Sequence, residues 1–110
     1  MNERLERRFV AAAERQVRGY AESPHIELSY TDHARDRMYE RGIDGADILH
    51  VLRCGHVSGG PEPADRPNYY KYKICAKTPN TGSRTICAVI IPSIGRVAAK
   101  VITVMWEDLK

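Results

Sequence analysis

The chain has 110 residues, of which 43% are hydrophobic and 28% are charged, and its formal net charge is +3 at pH 7. A chain of this length forms one domain that buries roughly 65% of its unfolded surface, so its core needs no metal or disulfide. Apolar runs such as Ala88 to Pro92 are far too short to cross a bilayer, and the small net charge does not by itself indicate a polyanionic partner.

The N-terminus and the three cysteines indicate the cellular location. The residues up to Arg8 are mostly charged and lack the apolar stretch of a secretory signal. Cys54, Cys75 and Cys87 form no CxxC motif and, being three, cannot all pair. We therefore expect a cytoplasmic protein with reduced thiols and without a cofactor.

The first half of the chain has the periodicity and the end signals of helices. The predicted elements are, in chain order, a helix over 3–18, a linker over 21–25, a strand over 26–30, and helices over 32–41 and 45–53. Thr31 or Asp32 is the predicted N-cap of the second helix, which ends before Gly42. Asp44 begins the third helix, and Gly55 ends it.

After the third helix the apolar pattern changes from helical to alternating. The predicted elements are a short strand over 56–58, a loop over 59–67, strands over 69–77, 84–91 and 97–106, and turns over 79–82 and 93–96. The sequence thus predicts an α+β fold in which N-terminal helices precede a 3–4-stranded antiparallel sheet. We interpret residues 1–20 as an accessory helix and residues 26–110 as a single domain.

Side chains of the strand predicted over residues 69–77 divide between two sheet faces. Tyr70 lies on the face predicted to pack against the helices, whereas Lys71, Lys73 and Lys77 lie on the other. A row of lysines on an open face suits a phosphate backbone, but it is equally typical of an ordinary solvated sheet face.

His33, Arg37 and Arg41 form the strongest chemical pattern in the sequence. On a helix they lie at positions i, i+4 and i+8 and therefore share one stripe. Imidazole transfers protons near neutral pH, and fixed cations stabilise charge on a phosphoryl group, so the stripe suits a phosphate site. In the alternative, structural interpretation, His33 touches the sheet and the arginines pair with nearby carboxylates, namely Asp36, Glu40 or Asp44.

The stretch around this stripe resembles the signature T-x-H-A-x-x-R-(M/L)-x-x-R-x-I of the domain of unknown function 4258 family. The matching residues are Thr31, His33, Ala34, Arg37, Met38, Arg41 and Ile43. A second helix, a tyrosine-rich strand and the closing segment Val101 to Val104 follow, so the resemblance covers residues 26–106. The layout is also similar to that of the RelE and BrnT toxins (a RelE-like or BECR-like layout), which are small ribonucleases.

The resemblance implies a metal-independent endoribonuclease of a bacterial toxin–antitoxin system. Its substrate would be RNA, and a cognate antitoxin protein would hold it in check. His33 would act as base or acid towards the ribose 2′-hydroxyl or the leaving 5′-oxygen, and Arg37 and Arg41 would clamp the phosphate.

The strand side chains would supply the remaining contacts of such a ribonuclease. Lys71 and Lys73 would bind the RNA backbone, and Tyr69 or Tyr70 would stack on bases. The second proton-transfer group is left open between Lys71, Tyr69 and His56.

Two non-catalytic alternatives use the same fold. One is a nucleic-acid- or protein-binding module, and the other is a homodimeric scaffold that pairs through the N-terminal helix. The spacing of His50, Cys54 and His56 invites comparison with metal ligands, but a fourth ligand has no obvious source, and we expect no metal.

Overall fold

The computed structural model describes residues 3–79, 82 and 84–107, and in the first helix it describes side chains from residue 7 onward. The elements, in chain order, are α1 (Glu3–Glu22), β1 (Glu27–Tyr30), α2 (Asp32–Arg41), α3 (Gly45–Cys54), β2 (His56–Pro63), β3 (Tyr70–Lys77), β4 (Thr85–Pro92) and β5 (Ala98–Trp106). Over these residues the protein is an α+β fold with three helices and a five-stranded mixed sheet.

The sheet has the strand order β1-β5-β4-β3-β2. Strands β2 to β5 form an antiparallel meander, in which each strand pairs with the next one along the chain. Strand β1 precedes two of the helices in the chain, yet it pairs in parallel with β5 at one edge of the sheet. The strand nearest the N-terminus and the strand nearest the C-terminus are therefore neighbours.

Side-chain caps fix the ends of α2 and α3. The Thr31 hydroxyl accepts a hydrogen bond from the Ala34 N–H and so satisfies a free amide of the first turn of α2. Gly42 ends α2 in the left-handed conformation, with φ of 66°, which a glycine adopts without steric cost. Asp44 and Asp47 form a reciprocal capping box at the start of α3.

The core lies between the helices and one face of the sheet. Ile48, Val51 and Leu52 of α3 are buried against the sheet. The sheet contributes Ile90 and Val101, which are both fully buried. Burying a side chain of this size contributes about 2 kcal/mol, so this layer holds the helices on that face and leaves the opposite face open.

Helix α1 packs on the rest of the fold along its C-terminal half. Its residues Val17 and Ala21 belong to the core, and Arg18 donates a hydrogen bond to the Gly55 carbonyl. The division into an accessory segment over residues 1–20 and a domain over residues 26–110 stays a prediction. Among the helices that the structure describes, none combines the length and the apolarity needed to cross a membrane.

The structure corrects the predicted sheet in two respects. The segment after residue 58, predicted as a loop, continues β2 to Pro63 with register shifts on either side of Gly59. Glycine and proline in this segment indicated a loop, but bulges accommodate them at a sheet edge. The sheet has five strands where three or four were predicted, and it is mixed where an antiparallel sheet was predicted, because β1 pairs in parallel with β5. Residues 80 and 81 of the predicted turn over 79–82 lie outside the described residues.

The cysteines were predicted to be reduced, and for two of them this is wrong in the structure. Strands β3 and β4 place Cys75 directly opposite Cys87, with 4.1 Å between their Cα atoms, and the two sulfurs form a disulfide. Cys54 is free and exposed at the end of α3. Counting cysteines could not reveal this pair, because the register of the two strands brings them together.

Tyr30 at the end of β1 gives the fold a dependence on alkaline pH. Burial raises the pKa of its hydroxyl above 10.0, Arg35 partly offsets the rise, and Asp44 adds to it. Because the folded state holds this proton more tightly, the stabilisation is complete below about pH 10 and is lost as the pH rises through the folded pKa. We expect Tyr30→Phe to reduce the alkaline loss of unfolding free energy in urea titrations. Tyr39→Phe is the matched control, since Tyr39 is 91% exposed, and equal pH profiles for both variants would contradict the prediction.

Candidate nucleic-acid interface

A groove of about 490 Å³ lies on the open face of the sheet, beside the loop that joins β2 to β3. Its floor includes Ile91 of β4 and Ile102 of β5. Lys71 of β3 and Lys100 of β5 line its two sides. The groove thus has an apolar floor between two cationic side chains, and we call it the lysine groove.

The strand registers explain why the two lysines flank one groove. Ile91 pairs with Lys100, and Ser29 of β1 pairs with Lys100 from the other side. Lys71 precedes Tyr72, which pairs with Ile90, so Lys71 lies beside Ile91. Two strand spacings separate the backbones at the two lysines by about 10 Å. The ammonium groups can therefore approach one bound phosphodiester segment from both sides.

The lysines of the groove form no ion pair within the described residues, although Glu62 is the strand partner of Lys71. Among the residues that the structure describes, Lys71, Lys73 and Lys100 have no hydrogen-bonded or ion-paired partner. Asp65 lines the groove but forms no ion pair with the lysines within the described chain. Unpaired lysines on a concave surface attract anions, and the low dielectric of the walls strengthens that attraction.

An aromatic ring and a guanidinium form one end of the groove. Arg66 lies over the ring of Tyr69, with 4.5 Å between its central carbon and the ring centroid, and both residues line the groove. Flat groups of this kind stack on nucleobases, and the guanidinium adds a cation–π contribution. The groove therefore combines phosphate-binding charge with a surface on which a base can stack.

The strand residues predicted to bind nucleic acid are only partly brought together. Tyr69 and Lys71 line the lysine groove, while Lys73 lies farther along β3, opposite Val89. Tyr70 is 40% exposed and pairs with Pro63 at the sheet edge; it does not line the groove.

The predicted catalytic stripe on α2 does not line the lysine groove. His33 is exposed, and its imidazole has no hydrogen-bonded or ion-paired partner in the part of the chain that the structure describes. Arg37 forms an ion pair of 2.7 Å with Glu40, as in the structural alternative for the arginines. Arg41 donates a hydrogen bond to the Val104 carbonyl of β5. His33 is nevertheless near the groove in sequence, because it follows the groove residue Thr31 by two positions.

Sequence reasoning missed Lys100 and Arg66. Lys100 is the only charged residue of the strand predicted over residues 97–106. Its charge could have indicated that this position lies on the open face of the sheet. Its position opposite Ile91 and Ser29 depended on the register of β5, including the parallel pairing with β1. Arg66 lay in the predicted loop, where neither its neighbours nor its orientation followed from periodicity.

The contact between Arg41 and β5 predicts a structural role for this side chain. Replacing Arg41 by Met keeps the apolar stem but leaves the Val104 carbonyl without this donor, so we expect unfolding free energy to fall by about 1–2 kcal/mol. Urea unfolding measures the change. Arg37→Met is the matched control: it removes an exposed ion pair within one helix and is expected to cost less than about 0.5 kcal/mol. An equal loss in both variants would argue against the role of the Arg41 contact.

A second group of chemically reactive side chains lies elsewhere on the sheet. Cys75, Cys87 and Glu107 place one ligand atom each within 4.8 Å of one another. The ring nitrogens of the histidines considered as ligands do not belong to this group, although His56 is the strand partner of Cys75. His50 contacts the Lys77 carbonyl, and Nδ1 of His56 is 3.5 Å from Glu14.

One comparison with known proteins gives a match. The model of the family described as "Domain of unknown function (DUF4258)" matches residues 30–106, which include β1's last residue and every element from α2 to β5. Helix α1 lies outside the match. No curated protein and no solved structure matches the chain.

Proposed function

The chain belongs to the DUF4258 family, whose description assigns no activity, and from the geometry of its sheet we propose that it binds single-stranded RNA in the lysine groove. The observation that carries the proposal is the pair formed by Lys71 and Lys100, which flank the isoleucine floor of the groove and form no ion pair within the described residues. Ammonium groups in such a groove bind the phosphate backbone independently of base sequence.

The dimensions and the side chains of the groove favour a single strand. A groove of about 490 Å³ holds a few nucleotides but excludes a duplex, whose bases are stacked out of reach. The Arg66–Tyr69 pair offers an unpaired base a stacking partner at one end. The unbonded hydroxyl of Ser29 supplies a hydrogen-bonding group beside Lys100, where a ribose 2′-hydroxyl would lie.

Binding is tested with fluorescently labelled oligonucleotides and anisotropy titrations. We expect single-stranded RNA to bind more tightly than duplex RNA, and its affinity to fall linearly with the logarithm of salt concentration. Single-stranded DNA of the same sequence tests the contribution of the 2′-hydroxyl. Binding that is independent of salt, or an absence of binding to every oligonucleotide at low salt, would contradict the proposal.

RNA cleavage is the second candidate, and it extends the first. It is favoured by the exposed imidazole of His33, which has no hydrogen-bonded or ion-paired partner among the described residues and follows the groove residue Thr31 by two positions. In this proposal His33 takes the proton of the 2′-hydroxyl, the oxygen attacks the adjacent phosphate, and an acid protonates the leaving 5′-oxygen. Lys71 and Tyr69 are the candidates for that acid inside the groove.

Cleavage is tested by incubating structured and single-stranded RNA with the protein in the presence of EDTA. The catalytic proposal expects the unmodified chain to cleave RNA. His33→Ala is expected to abolish this cleavage and to leave RNA binding intact. Arg37→Ala tests the predicted phosphate clamp separately. Salt-sensitive RNA binding without cleavage would support a non-catalytic binding module and exclude a catalytic role of His33.

The resemblance to the layout of RelE and BrnT toxins, which the sequence alone suggested, extends the proposal to partners and location. A cognate antitoxin protein would cover the lysine groove in the cytoplasm, and a homodimer paired through α1 is the competing assembly. Growth on induction, with and without the neighbouring gene, tests the toxin proposal. Light scattering of the purified chain tests the dimer.

A further inference from the structure

Cross-strand pairing concentrates three potential metal ligands at the end of the sheet away from the lysine groove. Cys75 and Cys87 are direct partners on β3 and β4, with Cα atoms 4.1 Å apart. Glu107 follows β5, and its N–H donates to the carbonyl of Thr85, two residues before Cys87. Residues two apart on a strand share a face, so the carboxylate of Glu107 is directed past Thr85 towards the two sulfurs. One atom of each side chain lies within 4.8 Å of the other two.

From this arrangement we infer that Cys75, Cys87 and Glu107 form a zinc site when the disulfide is reduced. Two thiolates and one carboxylate are a donor set that Zn²⁺ accepts, whereas Cu⁺ prefers sulfur alone and Mg²⁺ or Ca²⁺ prefers oxygen alone. Three protein ligands leave the fourth tetrahedral position to water or to an added ligand. The inference does not depend on RNA binding.

The surroundings of the two sulfurs leave the proposed zinc site accessible and place a hydroxyl group beside one of its ligands. Cys87 is buried, Cys75 is half-buried, and Glu107 is exposed, so an ion can enter from the side of the carboxylate. The Ser58 hydroxyl lies 3.3 Å from the Cys75 sulfur and can hydrogen-bond to a thiolate.

The oxidation state of the two cysteines controls this site. In the structure the sulfurs are bonded to each other and cannot act as thiolate ligands. A phosphine reductant supplies two electrons to the S–S bond and leaves as its oxide, with the oxygen taken from water, and two thiols remain. Binding of Zn²⁺ then forms two Zn–S bonds and releases the two thiol protons. A two-electron oxidant such as diamide, which takes up the two electrons as it is reduced to the hydrazine, would restore the disulfide, remove both thiolate ligands and release the ion.

The test uses the full chain, reduced with a phosphine and kept under inert gas. Titration with Co²⁺ is expected to give the absorption bands of a tetrahedral thiolate complex, and Zn²⁺ is expected to displace Co²⁺ with one equivalent bound per chain. Cys87→Ser is expected to abolish stoichiometric binding. The matched control is Cys54→Ser, which removes the exposed free thiol and is expected to bind as the unmodified chain does.

Glu107→Gln provides a variant that keeps both cysteines and the fold. Loss of a direct ligand is expected to weaken Zn²⁺ binding by about tenfold or more, because loss of even an outer-shell partner costs that much. The oxidised chain is expected to bind no zinc at this site. The inference is overturned if the reduced chain binds no stoichiometric metal, if Glu107→Gln binds as tightly as the unmodified chain, or if the oxidised chain binds equally well.

Discussion

Replacing Lys71 and Lys100 together by glutamine is expected to weaken the binding of single-stranded RNA about 30-fold at moderate salt. Each lysine is half-buried or exposed, so each ion pair with a phosphate contributes about 1 kcal/mol. Glutamine is one heavy atom shorter than lysine but keeps a hydrogen-bond donor at its end, so the main change is the loss of charge. Anisotropy titration with a labelled oligonucleotide measures the effect.

The salt dependence provides a second readout for the same variant. Each phosphate contact with a single strand contributes about 0.7 to the slope of log affinity against log salt, so loss of two contacts should reduce the slope by about 1.4. The control is Arg15→Gln with Lys77→Gln, which removes the same net charge from α1 and from the far end of β3. If this control weakened binding as much as the groove variant, net charge and not the groove would account for RNA binding.

Most residues of the DUF4258 signature make contacts that stabilise the fold. Thr31 caps α2 and also donates a hydrogen bond to the Ile102 carbonyl of β5. Ala34 and Ile43 are buried in the core, and Arg41 bonds to Val104. These residues attach α2 to β5. The motif alone, without the structure, suggested phosphate chemistry. His33 is the signature residue without a structural contact in the described chain, and it is therefore the one to test for catalysis.

Local signals predicted the helices and most strands because their causes are local. Caps such as Thr31 and Asp44 act within a few residues, and their places along the chain determine where α2 and α3 begin. The pairing of β1 with β5 is different, since it joins segments about seventy residues apart and depends on how the helices pack between them.

The lysine groove also depends on strand pairing that local sequence patterns do not predict. Alternation along the strand correctly separated Lys71 from Tyr70, because side chains alternate regardless of the fold. The position of Lys71 across from Lys100 follows only from two successive strand registers, β3 with β4 and β4 with β5. The second of these has a bulge between Val89 and Ile90. A one-residue slip would have placed Lys100 in the core.

Replacing Gly55 by alanine is expected to lower the free energy of unfolding by about 3 kcal/mol. Gly55 is buried where α3 passes into β2, and an added methyl group would lie 2.7 Å from Cγ2 of Ile74 and 2.9 Å from the Cys75 carbonyl oxygen. It would also overlap the Val51 carbonyl, which accepts the Gly55 N–H. Since two of the three obstacles are backbone atoms, the clash is relieved only if α3 moves away from β3. Urea unfolding monitored by circular dichroism measures the loss.

Gly19→Ala is the matched control, because nothing lies within 4 Å of the added methyl group in α1. In a helix interior this change is expected to stabilise by up to about 1 kcal/mol, through the lower entropy of the unfolded chain. The two substitutions therefore add the same atoms with opposite expected signs. If Gly55→Ala were as well tolerated as Gly19→Ala, this result would contradict the close approach of α3 to β3. The register of β2 beside β3, on which the shape of the groove loop depends, would then need revision.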